Sequence, residues 1–178
     1  HVGMPLVEGL SFVHNTLRGA GLRDRVRIGA AGKLVSAFDI ARTLAIGADW
    51  ANSARGFMFA IGCIQAQACH TNRCPTGVAT QDRLRQRALV VPDKAERVAN
   101  FHRNTLRALA DMAGAAGLDD PRMFLPHHFL QRDTSGEMLS GDEVWPYLPD
   151  GFLLAGERDA YGYLERWHRA RPDSFAPP

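Results

Sequence analysis

The sequence has 178 residues, of which 46% are hydrophobic and 22% are charged, and its formal net charge is +2. This composition is typical of a globular protein with a sizeable core. No segment approaches the roughly 20 apolar residues that a membrane-spanning helix requires, and the positive charge is scattered arginine rather than a basic stripe, so we expect neither a membrane nor a nucleic-acid partner.

The first half of the chain alternates helices with short strands. Apolar residues at helical spacing predict a helix over Pro5–Ala20, and a short strand is predicted over Val26–Ala30. Ser36 and Asp39 form a capping-box pattern at the start of the next helix. A second short strand in ADWANSARG, ending in a Gly-containing turn, precedes a helix predicted over roughly Phe57–Ala68. Strands that alternate with helices in this way predict βα units with parallel strands.

The second half is predicted to contain one long helix and then an irregular tail. The helix begins near Pro92 and ends near Gly117. Its predicted buried face comprises Val98, Phe101, Leu106 and Leu109. From Leu118 onward the sequence is rich in Pro, Gly and isolated aromatic residues, and we expect a tail that wraps a surface. Its predicted anchors are Trp145, Tyr147 and Phe152.

The number of predicted units is small for a complete barrel. About two clear βα units precede the tail, whereas a closed (β/α)₈ barrel needs about 250 residues. We therefore expect either a small α/β domain or the last part of a larger protein, and the absence of an initiating Met favours the second.

All three cysteines lie in GCIQAQACHTNRCPTGVATQ, residues 62–81, with the spacing Cys-x5-Cys-x4-Cys. Their odd number and tight clustering argue against a secreted disulfide framework and favour a cytoplasmic location. Four interpretations remain open from the residues alone: one disulfide with a spare thiol, three unliganded core cysteines, a zinc site that adds His70, and an iron–sulfur cluster. The five-residue gap is wide for zinc, and the polar neighbours of Cys69 and Cys74 are unusual in a core.

Two short Gly-containing segments follow the predicted strands. Each alone is consistent with an ordinary tight turn. In (β/α)₈ barrels, however, the loops after strands seven and eight often bind a phosphate through backbone N–H groups. The candidate phosphate-binding residues are therefore Ala31, Gly32, Lys33, Ala54, Arg55 and Gly56. The two glycines would let the backbone approach the phosphate, and the lysine and arginine would add positive charge.

The cysteine segment closely resembles the segment of glutamate synthases that carries their 3Fe–4S cluster. The family's three cluster ligands correspond to Cys63, Cys69 and Cys74. Upstream, GLRDRVRIGAAGKLVSAFDIARTLAIGAD resembles the seventh strand–helix unit of the family's FMN-binding barrel, and ADWANSARGFMFAIGC resembles the eighth. The long glutamate synthases have a Gly-Gly pair at the first loop, where this chain has Gly32 and Lys33. From Leu118 onward the chain is more similar to the stand-alone FMN-binding glutamate synthase family proteins.

This resemblance implies an α/β fold that is the C-terminal portion of a TIM (β/α)₈ barrel. It would comprise the last two βα units, the cluster loop, a C-terminal helix and an irregular tail. Residues 1–117 would form the barrel segment, with the iron–sulfur loop at 62–81, and residues 118–178 would form a tail packed on the barrel.

The resemblance also implies an oxidoreductase. It would pass electrons through a 3Fe–4S cluster to FMN and reduce 2-iminoglutarate, formed from 2-oxoglutarate and glutamine-derived ammonia, to L-glutamate. The electron donor would be ferredoxin or an NAD(P)H-oxidising subunit. We find no catalytic acid–base pair in this segment and expect the flavin-ring and substrate contacts upstream of it. Two alternatives remain: a related FMN enzyme for another amino acid, such as an N-methylglutamate synthase-like subunit, and a zinc-stabilised structural or interaction module.

Overall fold

The structure is a computed structural model and describes residues 3–155 and 161–174. It is a mixed α/β chain. The helices are α1 (Leu6–Gly19), α2 (Ala37–Ile46), α3 (Ala54–Ala60), α4 (Arg83–Gln86), α5 (Val91–Ala115), α6 (Gly141–Val144), α7 (Phe152–Ala155) and α8 (Leu164–Arg169), and the strands are β1 (Gly29–Ala31), β2 (Trp50–Asn52), β3 (Leu130–Arg132) and β4 (Met138–Ser140). Strands β1 and β2 form one two-stranded sheet, and β3 and β4 form an antiparallel pair with Leu130 opposite Ser140. Over the described ranges, no helix has the length and apolar character needed to span a bilayer.

The chain divides into two compact units. The first comprises the described residues within His1–Ala30, Ala45–Trp50 and Leu125–Pro178, and the second comprises Ala31–Leu44 and Ala51–Phe124. The second unit contains all three cysteines and both candidate phosphate loops.

The first unit is built on α1, and the C-terminal tail packs against it. A Cβ atom on Gly19 would lie 2.6 Å from Cγ of Leu153, so α7 approaches α1 closely. The Tyr147 hydroxyl donates a hydrogen bond to the carbonyl oxygen of Ala45, and the Tyr147 ring lies 4.3 Å from the ring of His14. Tyr147 therefore anchors the tail on this unit, as the sequence predicted.

The second unit is organised by the packing of α3 on α5. The rings of Phe57 and Phe101 meet edge to face with their centroids 5.2 Å apart. The buried side of α5 includes Phe101 and Leu109, but Leu106 is 49% exposed, so its predicted burial is wrong. Leu106 comes five residues after Phe101, which places it about 140° around the helix from the contact face.

Helix α3 differs most from its prediction, which was a helix from Phe57 to Ala68. It ends at Ala60 because Gly62 adopts a φ of 108° and its N–H bonds to the carbonyl of Phe59 at 2.9 Å. The N–H of Cys63 then bonds to the carbonyl of Met58 at 3.0 Å. Cys63 therefore lies in the cap after the helix, and the predicted turn at 55–56 is instead the first turn of α3.

The first strand is shorter and later than predicted over Val26–Ala30. The Arg23 guanidinium donates to the carbonyl of Val26 at 2.7 Å, and Asp49 accepts the N–H of Ile28 at 2.6 Å. Side chains therefore satisfy the backbone groups that a strand ladder would otherwise use, and β1 begins only at Gly29.

The sequence signals that predict the start of α2 and the end of α5 are confirmed. The Ser36 N–H donates to Asp39 at 3.0 Å, and the Asp39 N–H donates to the Ser36 hydroxyl at 3.1 Å, which is the predicted reciprocal cap of α2. Helix α5 ends before Gly117, whose φ is 74°, and the Leu118 N–H bonds back to the carbonyl of Ala113 at 2.8 Å.

Candidate metal and cofactor site

The three cysteines line one small cavity, which we call the thiol cavity. Cys63 follows the end of α3, Cys69 opens a short 3₁₀ turn, and Cys74 lies in the loop beyond it. All three are free thiols; Cys69 is exposed and Cys74 is buried. The cavity volume is about 10 Å³, close to the room that one water molecule needs. The fold thus brings together the three residues that the sequence singled out.

The rest of the thiol cavity is largely apolar. Its other lining residues are Met58, Ile64, Ala66, Gln67, Ala68, Thr76, Val78 and Ala79. Over residues 3–155 and 161–174, no three His, Cys, Asp or Glu side chains form a group that could hold a single metal ion. His70, the fourth ligand of the zinc interpretation, is exposed and does not line this cavity. The side chains of this cavity that could ligate iron are the three cysteine thiols, and their surroundings are mainly apolar.

Hydrogen-bond donors surround the sulfur atom of Cys74. The Thr76 hydroxyl lies 3.6 Å from this sulfur. That hydroxyl and the backbone N–H groups of Ala79, Thr76 and Val78 stabilise the thiolate and lower the pKa of Cys74 to about 7. A thiolate is the form that ligates metals, and N–H and O–H donors to the sulfurs tune iron–sulfur clusters. Thr76 is not among the residues predicted from the sequence, although its position two residues after the candidate ligand Cys74 is a usable signal.

Asn72 holds the loop around Cys74 in shape. It adopts a left-handed conformation with a φ of 60°. Its side-chain oxygen accepts hydrogen bonds from the Thr80 hydroxyl at 2.8 Å and from the Gln81 N–H at 2.6 Å. Asp82 then caps α4 by accepting the N–H of Leu84 at 2.8 Å. These bonds close the segment between Cys69 and α4.

Gly77 allows α4 to approach the same loop. Its φ is 80°, and a Cβ atom at this position would lie 2.3 Å from the carbonyl oxygen of Arg85. Since backbone cannot move aside as a flexible side chain can, only glycine fits here.

The two candidate phosphate loops lie side by side in the second unit. The Ser53 hydroxyl donates a hydrogen bond to the carbonyl oxygen of Leu34 at 2.8 Å and so joins them. Ala31, Gly32 and Lys33 are exposed. Lys33 has a φ of 59°, a conformation that favours glycine, which fits the Gly-Gly pair of the long glutamate synthases at this loop.

In the second loop, Gly56 and Arg55 have different surroundings. Gly56 is buried, and a Cβ atom there would lie 2.7 Å from Cζ of Phe101. The absence of a side chain at Gly56 leaves room for Phe101, and the approach of its backbone to a phosphate stays a prediction. Arg55 is exposed and lines a second cavity of about 140 Å³ together with Cys63 and Cys69. We call this second space the Arg55 cavity.

Comparison with known proteins supports the resemblance. The family model described as the conserved region in glutamate synthase matches residues 1–119. Over 143 residues, 80% of this chain and 27% of the relative, the chain is 43% identical to the glutamate synthase large subunit-like protein YerD of Bacillus subtilis. It is 40% identical to ferredoxin-dependent glutamate synthase 2 of Synechocystis over 67% of this chain and 8% of the relative. The large chain of the NADPH glutamate synthase of Bacillus subtilis is 39% identical over 52% of this chain and 6% of its own length.

The chain belongs to the glutamate synthase family through this conserved region. It spans about a quarter of the length of the Bacillus relative and a much smaller part of the ferredoxin-dependent enzyme.

Proposed function

We propose that this chain is the C-terminal part of an FMN-dependent, glutamate synthase-like oxidoreductase and that Cys63, Cys69 and Cys74 ligate a 3Fe–4S cluster. The observation that carries the proposal is the convergence of the three thiols on one apolar cavity, with hydrogen-bond donors around Cys74. A cluster is larger than the thiol cavity, whose volume is about 10 Å³, so binding requires the loop that carries the cysteines to rearrange. The segment between α3 and α4 contains no regular helix or strand beyond a three-residue 3₁₀ turn, and it can adjust.

The proposed fold is the end of a (β/α)₈ barrel. Strand β1 is followed by α2 and strand β2 by α3, and the two strands are neighbours in one sheet. This order matches two consecutive βα units, the seventh and eighth of the barrel in our assignment. The remaining strands would belong to the larger protein, whose relatives are several times longer than this chain.

The proposed FMN phosphate site is the pair of loops that Ser53 and Leu34 connect. Backbone N–H groups of Gly32 and Lys33 and of the first turn of α3 would donate to the phosphate. The Lys33 ammonium would add a positive charge from the exposed rim of the loop.

When bound, the cluster would supply one-electron transfer, and FMN would supply hydride transfer to 2-iminoglutarate, giving L-glutamate. The residues of this chain would hold the cluster through three thiolates, surround it with mainly apolar side chains, and fix the phosphate end of the flavin. The names of the relatives include both ferredoxin-dependent and NADPH enzymes, so we propose ferredoxin or an NAD(P)H-oxidising subunit as the electron donor.

The test is anaerobic purification of the intact protein, with iron, zinc, sulfide and FMN measured on one sample. We expect about three irons and one FMN per chain for the wild-type protein. Each of Cys63→Ser, Cys69→Ser and Cys74→Ser should lose most of the iron. His70→Ala is the matched control and should retain it, because His70 does not line the thiol cavity. Zinc without flavin, or full iron in all three serine variants, would refute the proposal.

The phosphate site has a separate test, in which the charge of Lys33 is removed and its backbone conformation is kept. Lys33→Met keeps a Cβ atom on the left-handed backbone and removes the charge, so we expect FMN to bind about tenfold more weakly because one charge-assisted contact is lost. Lys33→Arg should bind FMN like the wild-type protein. Unchanged FMN affinity in Lys33→Met would remove Lys33 from the site.

A further inference from the structure

The thiol cavity and the Arg55 cavity share a wall. Met58, Cys63, Gln67 and Cys69 line both spaces. The thiol cavity has no Asp, Glu, Lys or Arg in its described lining, whereas the Arg55 cavity has one, Arg55 itself. A single cation therefore lies on the other side of the wall that carries two of the three thiols.

The packing of α3 fixes this position. The close contact of Gly56 with Phe101 and the edge-to-face pair of Phe57 and Phe101 hold one side of α3 against α5. Residues three and four apart lie on the same side of a helix, so Arg55, Met58 and Phe59 share the side that lines the Arg55 cavity. The direction of Arg55 thus follows from the register of a short, tightly packed helix.

Among the described residues, the positive charge of Arg55 has no partner of opposite sign. In the part of the chain that the structure describes, the ion pairs involve other arginines and Lys94, and no carboxylate pairs with Arg55. The other polar side chains of the cavity are the amides of Gln65 and Gln67, which are uncharged. Both glutamines adopt left-handed backbone conformations, with φ of 56° and 54°. Strained backbone conformations of this kind persist where the surrounding structure holds them.

We propose that Arg55 is a tuning residue for the iron–sulfur cluster, an inference that rests on the proposed ligation by Cys63, Cys69 and Cys74. Each ligand contributes a thiolate, and reduction by the external donor adds one electron and so one further negative charge. A guanidinium beside Cys63 and Cys69 stabilises the reduced cluster more than the oxidised cluster. Arg55 therefore raises the reduction potential and makes the cluster a better electron acceptor.

This role differs from the phosphate contact that the sequence predicted for Arg55, and the two roles have different consequences. A phosphate ligand would govern FMN affinity and leave the cluster potential unchanged. A tuning residue would govern the cluster potential and leave the FMN and iron contents unchanged.

The experiment is a potentiometric titration of the intact protein, in which the EPR signal of the oxidised cluster is followed under anaerobic conditions with dithionite and redox mediators. The variants are Arg55→Met, which removes the charge, and Arg55→Lys, which keeps it. Arg83→Met is the control, since Arg83 is exposed at the start of α4 and lines neither cavity. Iron and FMN are measured on every sample.

We expect the ratio of reduced to oxidised cluster in Arg55→Met, measured at the wild-type midpoint, to fall about tenfold, which corresponds to 59 mV for one electron. Arg55→Lys should restore most of the ratio, and Arg83→Met should match the wild-type protein. If the Arg55→Met protein loses its iron, the Arg55→Gln variant is used instead. We expect the same shift in midpoint potential.

An unchanged midpoint with full iron would overturn the tuning role alone, and weaker FMN binding in the same variant would return Arg55 to the phosphate site. A wild-type protein without iron would instead refute the proposed function, and the tuning role with it.

Discussion

The hydroxyl of Ser53 donates a hydrogen bond to the carbonyl oxygen of Leu34 at 2.8 Å and thereby joins the loop after β1 to the start of α3. Ser53 precedes α3, yet it does not use its side chain to cap this helix. The Ser53 hydroxyl bonds to Leu34 instead of capping α3, and this bond sets the spacing of the two candidate phosphate loops.

Ser53→Ala should therefore affect both stability and flavin binding. We expect a loss of about 1 kcal/mol in the free energy of unfolding and a roughly threefold weaker affinity for FMN, since the loops lose their connection. Urea denaturation and fluorescence titration of FMN measure the two effects. Ser135→Ala, in the exposed turn between β3 and β4, should leave FMN affinity unchanged. Equal FMN affinity in both variants would show that the Ser53 bond does not position the phosphate site.

Gly77 and Gly117 form a matched pair for a test of the cluster loop. Both have positive φ, 80° and 74°, but only a Cβ atom at Gly77 would meet backbone, at 2.3 Å from the Arg85 oxygen. Gly117→Ala should cost about 1 kcal/mol from backbone strain alone, and Gly77→Ala about 3 kcal/mol or more. Gly77→Ala should also lose iron, whereas Gly117→Ala should keep it. Similar unfolding free energies for the two variants would argue against the close approach of α4.

Asn72 combines an unusual backbone conformation with a hydrogen-bonding side chain, and two substitutions separate these contributions. Asn72→Gly keeps the left-handed backbone and loses the bonds from Thr80 and Gln81, so we expect a loss of about 1 kcal/mol. Asn72→Ala should lose about 1 kcal/mol more because its Cβ disfavours this conformation. Iron retention should follow the same order, wild type first and Asn72→Ala last. The reverse order of the two variants would mean that the backbone of Asn72 is unstrained.

His14 should make the protein sensitive to mild acid. His14 is 5% exposed, its Nδ1 accepts a hydrogen bond from Arg23 at 3.1 Å, and its Nε2 has no hydrogen-bond partner among the described residues. Burial, followed by the charges of Arg23 and Arg18, lowers the pKa of His14 from 6.5 to about 4.

The unfolded chain therefore binds a proton at this residue at a higher pH than the folded chain does. Stability should be fully present above about pH 6.5 and fall as the pH drops towards 4, by up to roughly 3 kcal/mol. Urea denaturation between pH 7 and 4 measures the slope. His14→Gln should flatten that slope, whatever its stability at neutral pH. An undiminished slope in the variant would assign the acid sensitivity to other groups.

Local sequence signals predicted the helix ends well where they did not compete with distant groups. Ser36 and Asp39 cap α2 as expected, and Gly117 ends α5. Gly62 carries the same kind of signal as Gly117, but it lies inside an apolar run, so the predicted helix extends beyond the observed end of α3. Positive φ at Gly62 is what moves Cys63 out of the helix and onto the thiol cavity.

The errors elsewhere arose where long-range contacts decide the outcome. Asp49 accepts the Ile28 N–H across 21 positions of sequence and shortens the first strand. The hairpin of β3 and β4 was not predicted, although Asp133 accepts the N–H groups of Ser135 and Glu137 in its turn. Three-residue strands carry too few side chains for an alternating pattern to be recognised.

The sequence by itself determined the family, the three candidate ligands and the main helices, because cysteine spacing, caps and apolar periodicity are local properties of the chain. Only the tertiary structure decided what surrounds each candidate. It buried Gly56 against Phe101, placed Arg55 in a cavity with Cys63 and Cys69, and left His70 outside the thiol cavity. These relationships depend on the packing of α3 on α5 and on the path of the loop between α3 and α4. The spacing of residues along the chain does not predict these contacts, because they join residues that only the folded structure brings together.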